Sequence, residues 1–481
     1  MCESLVMQQL AQPSLRSAND PLASVAPRTE LIERFDVAGP RYTSYPTADR
    51  FVEAFDDKSL EQWLSQRAAA GWRQPLSVYV HVPFCQSVCY YCACNKIVTR
   101  DLGRGATYVE DLLREVDLYA SRLGRREPVS QLHFGGGTPT FLDGSTLQTA
   151  IDGLERAFEF TPQAERSIEV DPRTVDVARL QDLADQRFNR LSFGVQDFDP
   201  AVQLAVHRVQ STEQVFELTR AARDIGFESV NVDLIYGLPR QTEASFRRTL
   251  HTLSELRPDR VAVYGYAHLP ERFKPQRRIP TEALPTAHDK LAMMRAAIQI
   301  LTDEGYVYIG MDHFALPDDA LSVAQRRGML HRNFMGYTTQ PDCDMIGLGV
   351  SAIGRMGPCY AQNCRTLDEY ADAVRSGRLP IARGCELSRD DMLRRSVIMS
   401  IMCSGEVSFD ALEKSYLVDP KLTFHEELGR LREFQDLGLV KVDVEGIRVM
   451  PQGRFFVRPI AMVFDRYLRS ALRRANYSRV L

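Results

Sequence analysis

The chain has 481 residues, of which 44% are hydrophobic and 25% charged, and its formal net charge is -4. This composition is typical of a globular protein with two or three domains, and the absence of a long basic block argues against nucleic-acid binding. No apolar run is long enough to span a bilayer and the N-terminus lacks an export signal pattern, so we expect a cytoplasmic protein, not bound to a membrane, with reduced cysteines.

The N-terminal part, residues 1–76, is predicted to be an arm and a capping segment. Residues 1 to about 36 show no sustained periodicity, which predicts a poorly ordered arm. The turn-rich stretch Gly39–Phe51 follows, and we expect it on the surface. Its tyrosines and Arg41 would suit a flat anionic ligand, and a loop that only caps the domain fits equally well.

A cysteine-rich loop follows the first predicted strand, Val78–His81, which should end before Pro83 because proline has no ladder donor. Cys85, Cys89 and Cys92 are spaced C-x3-C-x2-C, close enough for three sulfurs to face one small inorganic cluster. The spacing therefore predicts a metal site at the end of a strand.

Cys94 is a poor candidate for a fourth ligand, because an extended backbone two residues after Cys92 would turn its side chain away. We therefore predict three ligands and one iron left open for chemistry. A zinc knuckle, a redox dithiol and fortuitous cysteines remain alternatives, while a disulfide framework is disfavoured in a large chain without a secretion signal.

From residue 77 to 366, strand-like and helix-like runs alternate, which predicts right-handed β/α units and a parallel sheet. The predicted strands are Val78–His81, Gln131–Phe134, Ser167–Val170, Arg190–Val195, Ser229–Tyr236 and Arg260–Tyr266. The predicted helices are Tyr108–Leu123, Leu147–Phe158, Val177–Gln186, Thr212–Ile225 and Glu243–Leu256. Six units are too few for a closed barrel, so the α/β fold is predicted to be a three-quarter barrel, in preference to a doubly wound sheet.

Polar and glycine-rich groups follow the predicted strands, where α/β folds place their sites. Gly135, Gly136 and Gly137 follow the second strand and would let a ligand approach the backbone closely, although a tight turn would use them too. Glu169 and Asp233 could each be a solvated carboxylate. Their position at the same end as the cysteine loop favours a site.

The C-terminal half is predicted to provide pocket walls and a small domain. The polar stretches between 305 and 354 resemble lids over the barrel. Residues 367–481 are predicted to form a mainly helical, winged-helix-like domain with a hairpin around Glu445 and Gly446, which supports the pocket. Cys343, Cys359, Cys364, Cys385 and Cys403 lack ligand-like spacing.

The cysteine loop resembles that of the radical S-adenosylmethionine (SAM) superfamily. Together the motifs GPRYTSYPT, CYYCACNKIVTR, QLHFGGGTPT, IEVDPR, FNRLSFGVQDF, NVDLIYGLP, YAHLP, GMDHFA and HRNFMGYTTQ resemble the oxygen-independent coproporphyrinogen III oxidase family over nearly the full length. The resemblance implies oxidative decarboxylation of two propionates of coproporphyrinogen III to vinyl groups, giving protoporphyrinogen IX by 5′-deoxyadenosyl radical chemistry. It also implies a [4Fe–4S] cluster, two SAM molecules, and an electron donor such as a flavodoxin or ferredoxin-like protein.

The resemblance also implies roles for individual residues. Cys85, Cys89 and Cys92 would bind the cluster, and Cys94 would not. The positions around the first SAM would be Tyr79, Tyr91, Gly136, Glu169 and Ile353. Those around the second would be Gly137, Thr138, Gln196, Arg208, Asp233 and Ala267. Tyrosine at 91, where phenylalanine is common in the family, preserves an aromatic ring.

Three rival functions remain at this point. A haem chaperone on the same scaffold would lack Cys94 and the GPRYTSYPT segment, and both are present. A haem-degrading relative is a second rival. A plain electron-transfer protein would need a fourth ligand and no adenosyl pocket. No heptad stripe indicates oligomers, so we expect a monomer.

Overall fold

The structure is a computed structural model that describes residues 29–70 and 74–469. Its helices are α1 (Thr29–Phe35), α2 (Asp57–Ala69), α3 (Gly103–Leu123), α4 (Gly144–Ala157), α5 (Val177–Asp185), α6 (Pro200–Ala205), α7 (Thr212–Ile225), α8 (Glu243–Leu256), α9 (Ala287–Asp303), α10 (Ala320–Arg326), α11 (Leu367–Arg375), α12 (Arg389–Cys403), α13 (Phe409–Tyr416), α14 (Pro420–Thr423), α15 (His425–Asp436) and α16 (Val457–Met462).

The strands are more numerous than the sequence predicted. They are β1 (Leu76–Val82), β2 (Phe84–Cys85), β3 (Ile97–Val98), β4 (Pro128–Gly136), β5 (Glu159–Val170), β6 (Arg190–Gln196), β7 (Ser229–Tyr236), β8 (Arg260–Gly265), β9 (Val307–Gly310), β10 (His313–Ala315), β11 (His331–Asn333), β12 (Gly336–Thr338), β13 (Met345–Leu348), β14 (Ile353–Met356), β15 (Cys359–Asn363), β16 (Ile381–Glu386), β17 (Glu406–Ser408), β18 (Val440–Val442) and β19 (Gly446–Val449).

A twelve-stranded sheet organises the molecule, in the order β16-β15-β14-β13-β1-β4-β5-β6-β7-β8-β10-β9. All six predicted strands are present, and β1, β4, β5, β6, β7 and β8 pair in parallel in chain order. The first strand ends immediately before Pro83, as predicted. The sheet does not close on itself, because its terminal strands β16 and β9 are not neighbours. The predicted open parallel barrel is therefore present.

The stretches between residues 305 and 354 are not simply lids, and that prediction was incomplete. The strand Met345–Leu348 pairs in parallel with β1, which adds a seventh parallel strand. On the opposite side, β10 and β9 extend the sheet in antiparallel fashion from β8. These strands have only three or four residues, and Met345–Leu348 is buried throughout, so no alternation of polar and apolar residues marked it.

The N-terminal arm is partly ordered, which corrects the prediction for residues 29–36; residues 1–28 lie outside the described part of the chain. Helix α1 buries Leu31, Ile32 and Phe35. The Phe35 ring stacks on Phe434 of α15 with 4.7 Å between centroids. The segment therefore packs on the C-terminal domain.

The Gly39–Phe51 segment is largely interior, so its predicted surface position was wrong. Tyr42 and Tyr45 are fully buried, and the Tyr42 hydroxyl donates to Asp465 at 2.9 Å. The Arg458 guanidinium donates to the Gly39 carbonyl at 2.8 Å. The tyrosines thus anchor the segment to the C-terminal domain and cannot form a flat ligand platform, while Arg41 lines a cavity.

The C-terminal part contains the predicted hairpin. Strands β18 and β19 pair in antiparallel fashion, and β17 completes a three-stranded sheet beside the helices α12 to α15. This arrangement agrees with a winged-helix-like domain. The large sheet itself continues to Glu386, so the division of the chain at residues 76 and 366 remains a proposal.

Removing the Phe35 ring should detach α1. We expect Phe35→Ala to lower the free energy of local opening of residues 29–35 by about 3 kcal/mol, because a buried aromatic contact is lost. Amide hydrogen exchange resolved by peptide would measure this. Glu30→Ala, at an exposed position of the same helix, should leave exchange unchanged. Equal exchange in Phe35→Ala and the parent protein would contradict the packing argument.

Candidate active site at the barrel mouth

The cysteine loop begins directly after β1, at the carboxyl end of the parallel strands. Its two ends are held together by the short parallel pair β2 and β3. The Ile97 N–H donates to the Pro83 carbonyl at 2.7 Å, and the Thr99 N–H to the Cys85 carbonyl at 2.9 Å. Because both ends are fixed, the intervening cysteines are presented from a closed loop.

Each predicted ligand has a distinct polar neighbour. The Thr138 hydroxyl lies 3.6 Å from Cys85 Sγ, and Arg208 Nη1 lies 3.4 Å from Cys89 Sγ. The Lys96 ammonium donates to the Cys92 carbonyl at 3.0 Å. Cationic groups therefore lie beside the loop and can offset the negative charge that thiolate ligands would carry.

The thiols of Cys85 and Cys92 differ in acidity. A hydrogen bond from Cys94, assisted by Lys96, lowers the pKa of Cys92 to about 6 despite burial. Burial raises the pKa of Cys85 to about 11, although the hydrogen bond from Thr138 opposes this shift. Metal ligation requires thiolates, so binding of a cluster would displace a proton from Cys85.

The donor set can be compared with the chemistry that a cluster needs. A [4Fe–4S] cluster binds each thiolate through a different iron, and the ligated cluster carries negative charge. The donor set of Cys85, Cys89 and Cys92 beside Arg173 and Arg208 therefore suits an anionic cluster.

The argument that Cys94 turns away from Cys92 was wrong in its geometry. The backbone bends at Cys94, and its thiol is hydrogen-bonded to that of Cys92. The extended conformation that would separate the two side chains is therefore absent at this position. Whether Cys94 ligates iron stays a prediction, and its hydrogen bond lowers the pKa of Cys92.

The glycine loop after β4 approaches the cysteine loop so closely that side chains are excluded. A Cβ on Gly137 would lie 2.7 Å from the Phe84 carbonyl oxygen, and a Cβ on Gly136 would lie 2.6 Å from the His81 ring. Gly136 also has φ +112°, which other residues rarely adopt. The Gly136 N–H donates to Glu169 Oε2 at 3.0 Å, so two predicted site residues are in direct contact.

Glu169 belongs to a chain of side chains inside the barrel. Its Oε1 lies 3.5 Å from His133 Nε2, and His133 Nδ1 lies 2.7 Å from the Ser167 hydroxyl. The His133 ring also stacks on Tyr79 at 5.9 Å. Burial opposes ionisation of Glu169, but His133 and the Gly136 N–H together lower its pKa. The carboxylate is therefore held ionised and can bind a cationic ammonium group.

Asp233 lies deeper in the barrel interior. It accepts hydrogen bonds from Asn231 at 2.9 Å and Ser192 at 3.3 Å. Burial, and then repulsion from Glu169, raise its pKa to about 6. The two carboxylates are therefore electrostatically coupled, as expected for residues that face one site.

Arg208 and Gln196 lie on the other side of the cysteine loop. Arg208 pairs with Asp171 at 3.1 Å and also donates to the Gly194 carbonyl through Nε at 3.1 Å. Gln196 adopts φ +71° at the end of β6, and its side-chain nitrogen lies 2.8 Å from the position that a Cβ on Gly194 would occupy. Arg208 is buried, so its charge is available only to groups within the site.

Tyr91, Ala267 and Ile353 complete the predicted set. Gln276 links the first two, because its amide nitrogen donates to the Tyr91 carbonyl at 2.9 Å and to the Ala267 carbonyl at 3.2 Å. Met345 pairs with Arg355 in antiparallel fashion, which sets Ile353 opposite Gly347, and Gly347 pairs with Tyr79. All predicted residues thus lie around the barrel mouth and its interior.

A cavity of about 530 Å³ adjoins the site between the barrel, α1 and the C-terminal domain. Its wall includes Tyr236, Ala267, Lys290, Arg41 and Arg458 together with aliphatic side chains. Arg41 pairs with Asp312 at 2.6 Å. The cavity thus combines an apolar wall with basic groups and with the acids Glu33, Asp36 and Asp312.

Sequence reasoning did not assign His133 or Arg173 to the site. Arg173 Nη2 lies 3.6 Å from Cys89 Sγ and also pairs with Asp171 at 2.6 Å. Strand alternation could have identified His133, because residues two apart on a strand lie on the same face of the sheet. His133 is two residues before Gly135, and Ser167 is two residues before Glu169 on the next strand.

An open parallel barrel with a three-cysteine loop at the carboxyl end of β1 defines the class of radical SAM enzymes. The model of the Radical SAM superfamily matches residues 79–253, and the HemN C-terminal domain model matches residues 387–456. Because relatives that are 46–47% identical over 94% of the chain carry this name, the chain belongs to the oxygen-independent coproporphyrinogen III oxidase family.

Curated relatives support this assignment. The oxygen-independent coproporphyrinogen III oxidase of Pseudomonas aeruginosa is 46% identical over 94% of this chain and 98% of its own length. That of Escherichia coli is 47% identical with the same coverage. The solved structure of coproporphyrinogen III oxidase (HemN) from Escherichia coli, a radical SAM enzyme, superposes with a TM-score of 0.87 over 92% of this chain and 99% of that one. The predicted fold class and family are confirmed.

Proposed function

We propose that this enzyme oxidatively decarboxylates two propionate side chains of coproporphyrinogen III to vinyl groups, giving protoporphyrinogen IX for haem biosynthesis without oxygen. The observation that carries the proposal is the three-cysteine loop at the barrel mouth of a chain that is 46–47% identical to oxidases of this name over nearly its whole length.

Cys85, Cys89 and Cys92 would hold a [4Fe–4S] cluster. When bound, the cluster and SAM together supply a 5′-deoxyadenosyl radical, an oxidant that side chains cannot provide for an unactivated C–H bond. Arg173 and Arg208 lie within 3.6 Å of Cys89 Sγ and would balance the charge of the thiolate ligands. Thr138 would donate a hydrogen bond to Cys85.

A first SAM molecule would contact Tyr79, Tyr91, Gly136, Glu169 and Ile353. Glu169 is suited to its ammonium group, because His133 and the Gly136 N–H keep the carboxylate ionised. The glycine backbone would admit the ligand closely. Tyr79 and Tyr91 supply aromatic surface on two sides of the loop.

A second SAM molecule would contact Gly137, Thr138, Gln196, Arg208, Asp233 and Ala267. The support is chemical: Arg208 is a buried cation suited to a carboxylate, and Asp233 is suited to hydroxyl or ammonium groups. Two molecules would match the two propionates that react.

The adjoining cavity would receive the porphyrinogen. Its 530 Å³ volume suits part of a large flat substrate, its apolar wall suits the pyrrole rings, and Arg41, Lys290 and Arg458 suit propionate carboxylates. The C-terminal domain and α1 close one side of the cavity, which would keep water away from a reactive radical.

We further propose a cytoplasmic monomer that receives electrons from a flavodoxin or ferredoxin-like protein. In the described part of the chain, no helix is both long and apolar enough to cross a membrane. The reaction requires one electron for every SAM molecule cleaved, so a reductant has to reach the cysteine loop.

Anaerobic turnover tests the function. Reconstituted enzyme with coproporphyrinogen III, SAM and a reductant should give protoporphyrinogen IX and one 5′-deoxyadenosine for each vinyl group, measured by chromatography. Because two propionates react, the ratio to the final product should be two. Transfer of bound haem without formation of vinyl groups would instead identify a haem chaperone and overturn the proposal.

A further inference from the structure

Basic residues from several parts of the sequence lie beside the cysteine loop. We define the basic rim as Lys96, Arg104, Arg272, Arg278, Arg365 and Arg383. These residues come from distant parts of the sequence, and Arg104, Arg272, Arg278 and Arg365 are exposed. The concentration of positive charge contrasts with the net charge of -4 of the whole chain.

Direct contacts place the basic rim at the loop. Arg104 lies 5.9 Å from the centre of the Phe84 ring, next to Cys85, and Arg278 lies 5.2 Å from that of Tyr90. The Arg365 carbonyl accepts a hydrogen bond from Asn95 at 3.1 Å. The rim therefore touches the loop before, within and after the three cysteines.

Three of the rim cations are close enough to repel one another. Burial, followed by repulsion from Arg365 and Arg272, lowers the pKa of Arg383. Within residues 29–70 and 74–469, none of the six rim side chains forms an ion pair with a carboxylate, whereas Arg67, Arg122 and Arg260 each do. Asp101 and Glu271 are neighbouring acids, Asp49 and Glu53 act on Arg383, and the cations predominate.

We propose that the basic rim is the docking surface for an acidic, one-electron donor protein that carries a reduced flavin or iron–sulfur group. This inference rests on the proposed function, which requires an electron at the cysteine loop. The donor would lose one electron, and the sulfonium of SAM would gain it as one carbon–sulfur bond breaks to give methionine and the 5′-deoxyadenosyl radical. Complementary charge steers such encounters and sets their orientation.

The position of the basic rim beside the cysteine loop favours a protein over other anionic partners. A polyanion such as RNA or an anionic membrane could also meet a basic rim, but neither supplies the electron that the reaction consumes. The rim lies beside the redox loop, where Arg104 and Arg278 contact Phe84 and Tyr90. Nucleic acid and lipid are therefore alternative outcomes of the test.

The test uses the double variant Arg272→Glu/Arg365→Glu and a control of equal charge change, Arg156→Glu/Arg432→Glu. All four residues are exposed, and the control residues lie on α4 and α15, outside the rim. Binding of a flavodoxin to the full-length protein is measured by titration at low and high salt. We expect the rim variant to bind roughly tenfold or more weakly and the control to bind within about twofold of the parent protein.

Chemical reductant separates docking from chemistry. With dithionite, which needs no docking surface, the rim variant should form 5′-deoxyadenosine at the parent rate, while with reduced flavodoxin it should be slow. Three results would overturn the proposal. They are unchanged flavodoxin binding in the rim variant, an equal loss of flavodoxin binding in the control, and a loss of binding only to RNA or anionic vesicles. Failure of every variant and the parent with dithionite would instead count against the proposed function.

Discussion

Cys89→Ser should abolish both cluster assembly and SAM cleavage. The Cys89 thiol lies 3.4 Å from Arg208 and 3.6 Å from Arg173, so two cations are already placed to balance a ligating thiolate. A serine hydroxyl would leave two thiolates, which hold iron poorly. We expect iron content and the visible absorption of the cluster to fall to background. Formation of 5′-deoxyadenosine should fall at least roughly a thousandfold, because the cluster requires thiolate ligands.

Cys364→Ser is the matched control for that loss. Cys364 is half-buried whereas Cys89 is buried, and it lies between β15 and α11, outside the cysteine loop. It should retain the parental iron content and turnover. If Cys89→Ser still produced protoporphyrinogen IX anaerobically, the ligand assignment would be wrong.

Glu169→Ala should weaken SAM binding and leave the cluster intact. The carboxylate is fixed by the Gly136 N–H at 3.0 Å and lies beside His133, and it is not a cluster ligand. Loss of a charge-assisted contact costs about 2–3 kcal/mol, so the dissociation constant should rise roughly 30- to 150-fold. Equilibrium binding of SAM to the reconstituted enzyme measures the change, and visible absorption reports the cluster.

Glu159→Ala, at an exposed position at the start of the same strand, provides the control. Its SAM affinity should match that of the parent protein. Glu169→Gln should fall between the two, because the amide keeps the acceptor from the Gly136 N–H and loses the charge. Parental SAM affinity in Glu169→Ala would remove this residue from the pocket.

Much of the barrel could be predicted because its strands and helices are long and regular. Strand β7 and the helices α7 and α8 occur with the predicted bounds, since capping residues such as Ser211 and Thr242 mark the helix starts. The site residues followed from the rule that parallel strands present their carboxyl ends together. Gly136 and Glu169 illustrate this rule, because they come from neighbouring strands and make direct contact.

The errors arose where tertiary contacts outweigh local pattern. The seventh parallel strand, β13, has four buried residues and no alternation, so only its pairing with β1 reveals it. Tyr42 and Tyr45 lie in a turn-rich segment that looks exposed, yet the C-terminal domain buries them. Cys94 was assigned an extended backbone, although the chain bends there and its thiol reaches Cys92. These contacts join residues whose sequence neighbours give no signal.

The central claim is that three cysteines hold a cluster with one iron free to bind SAM. Mössbauer spectroscopy of the anoxically reconstituted protein, with and without SAM, tests it most directly. We predict a four-iron cluster in which the signal of a single iron shifts when SAM is added, while the other three remain thiolate-like. Zinc in place of iron, or four cysteine-bound irons that do not respond to SAM, would contradict the account.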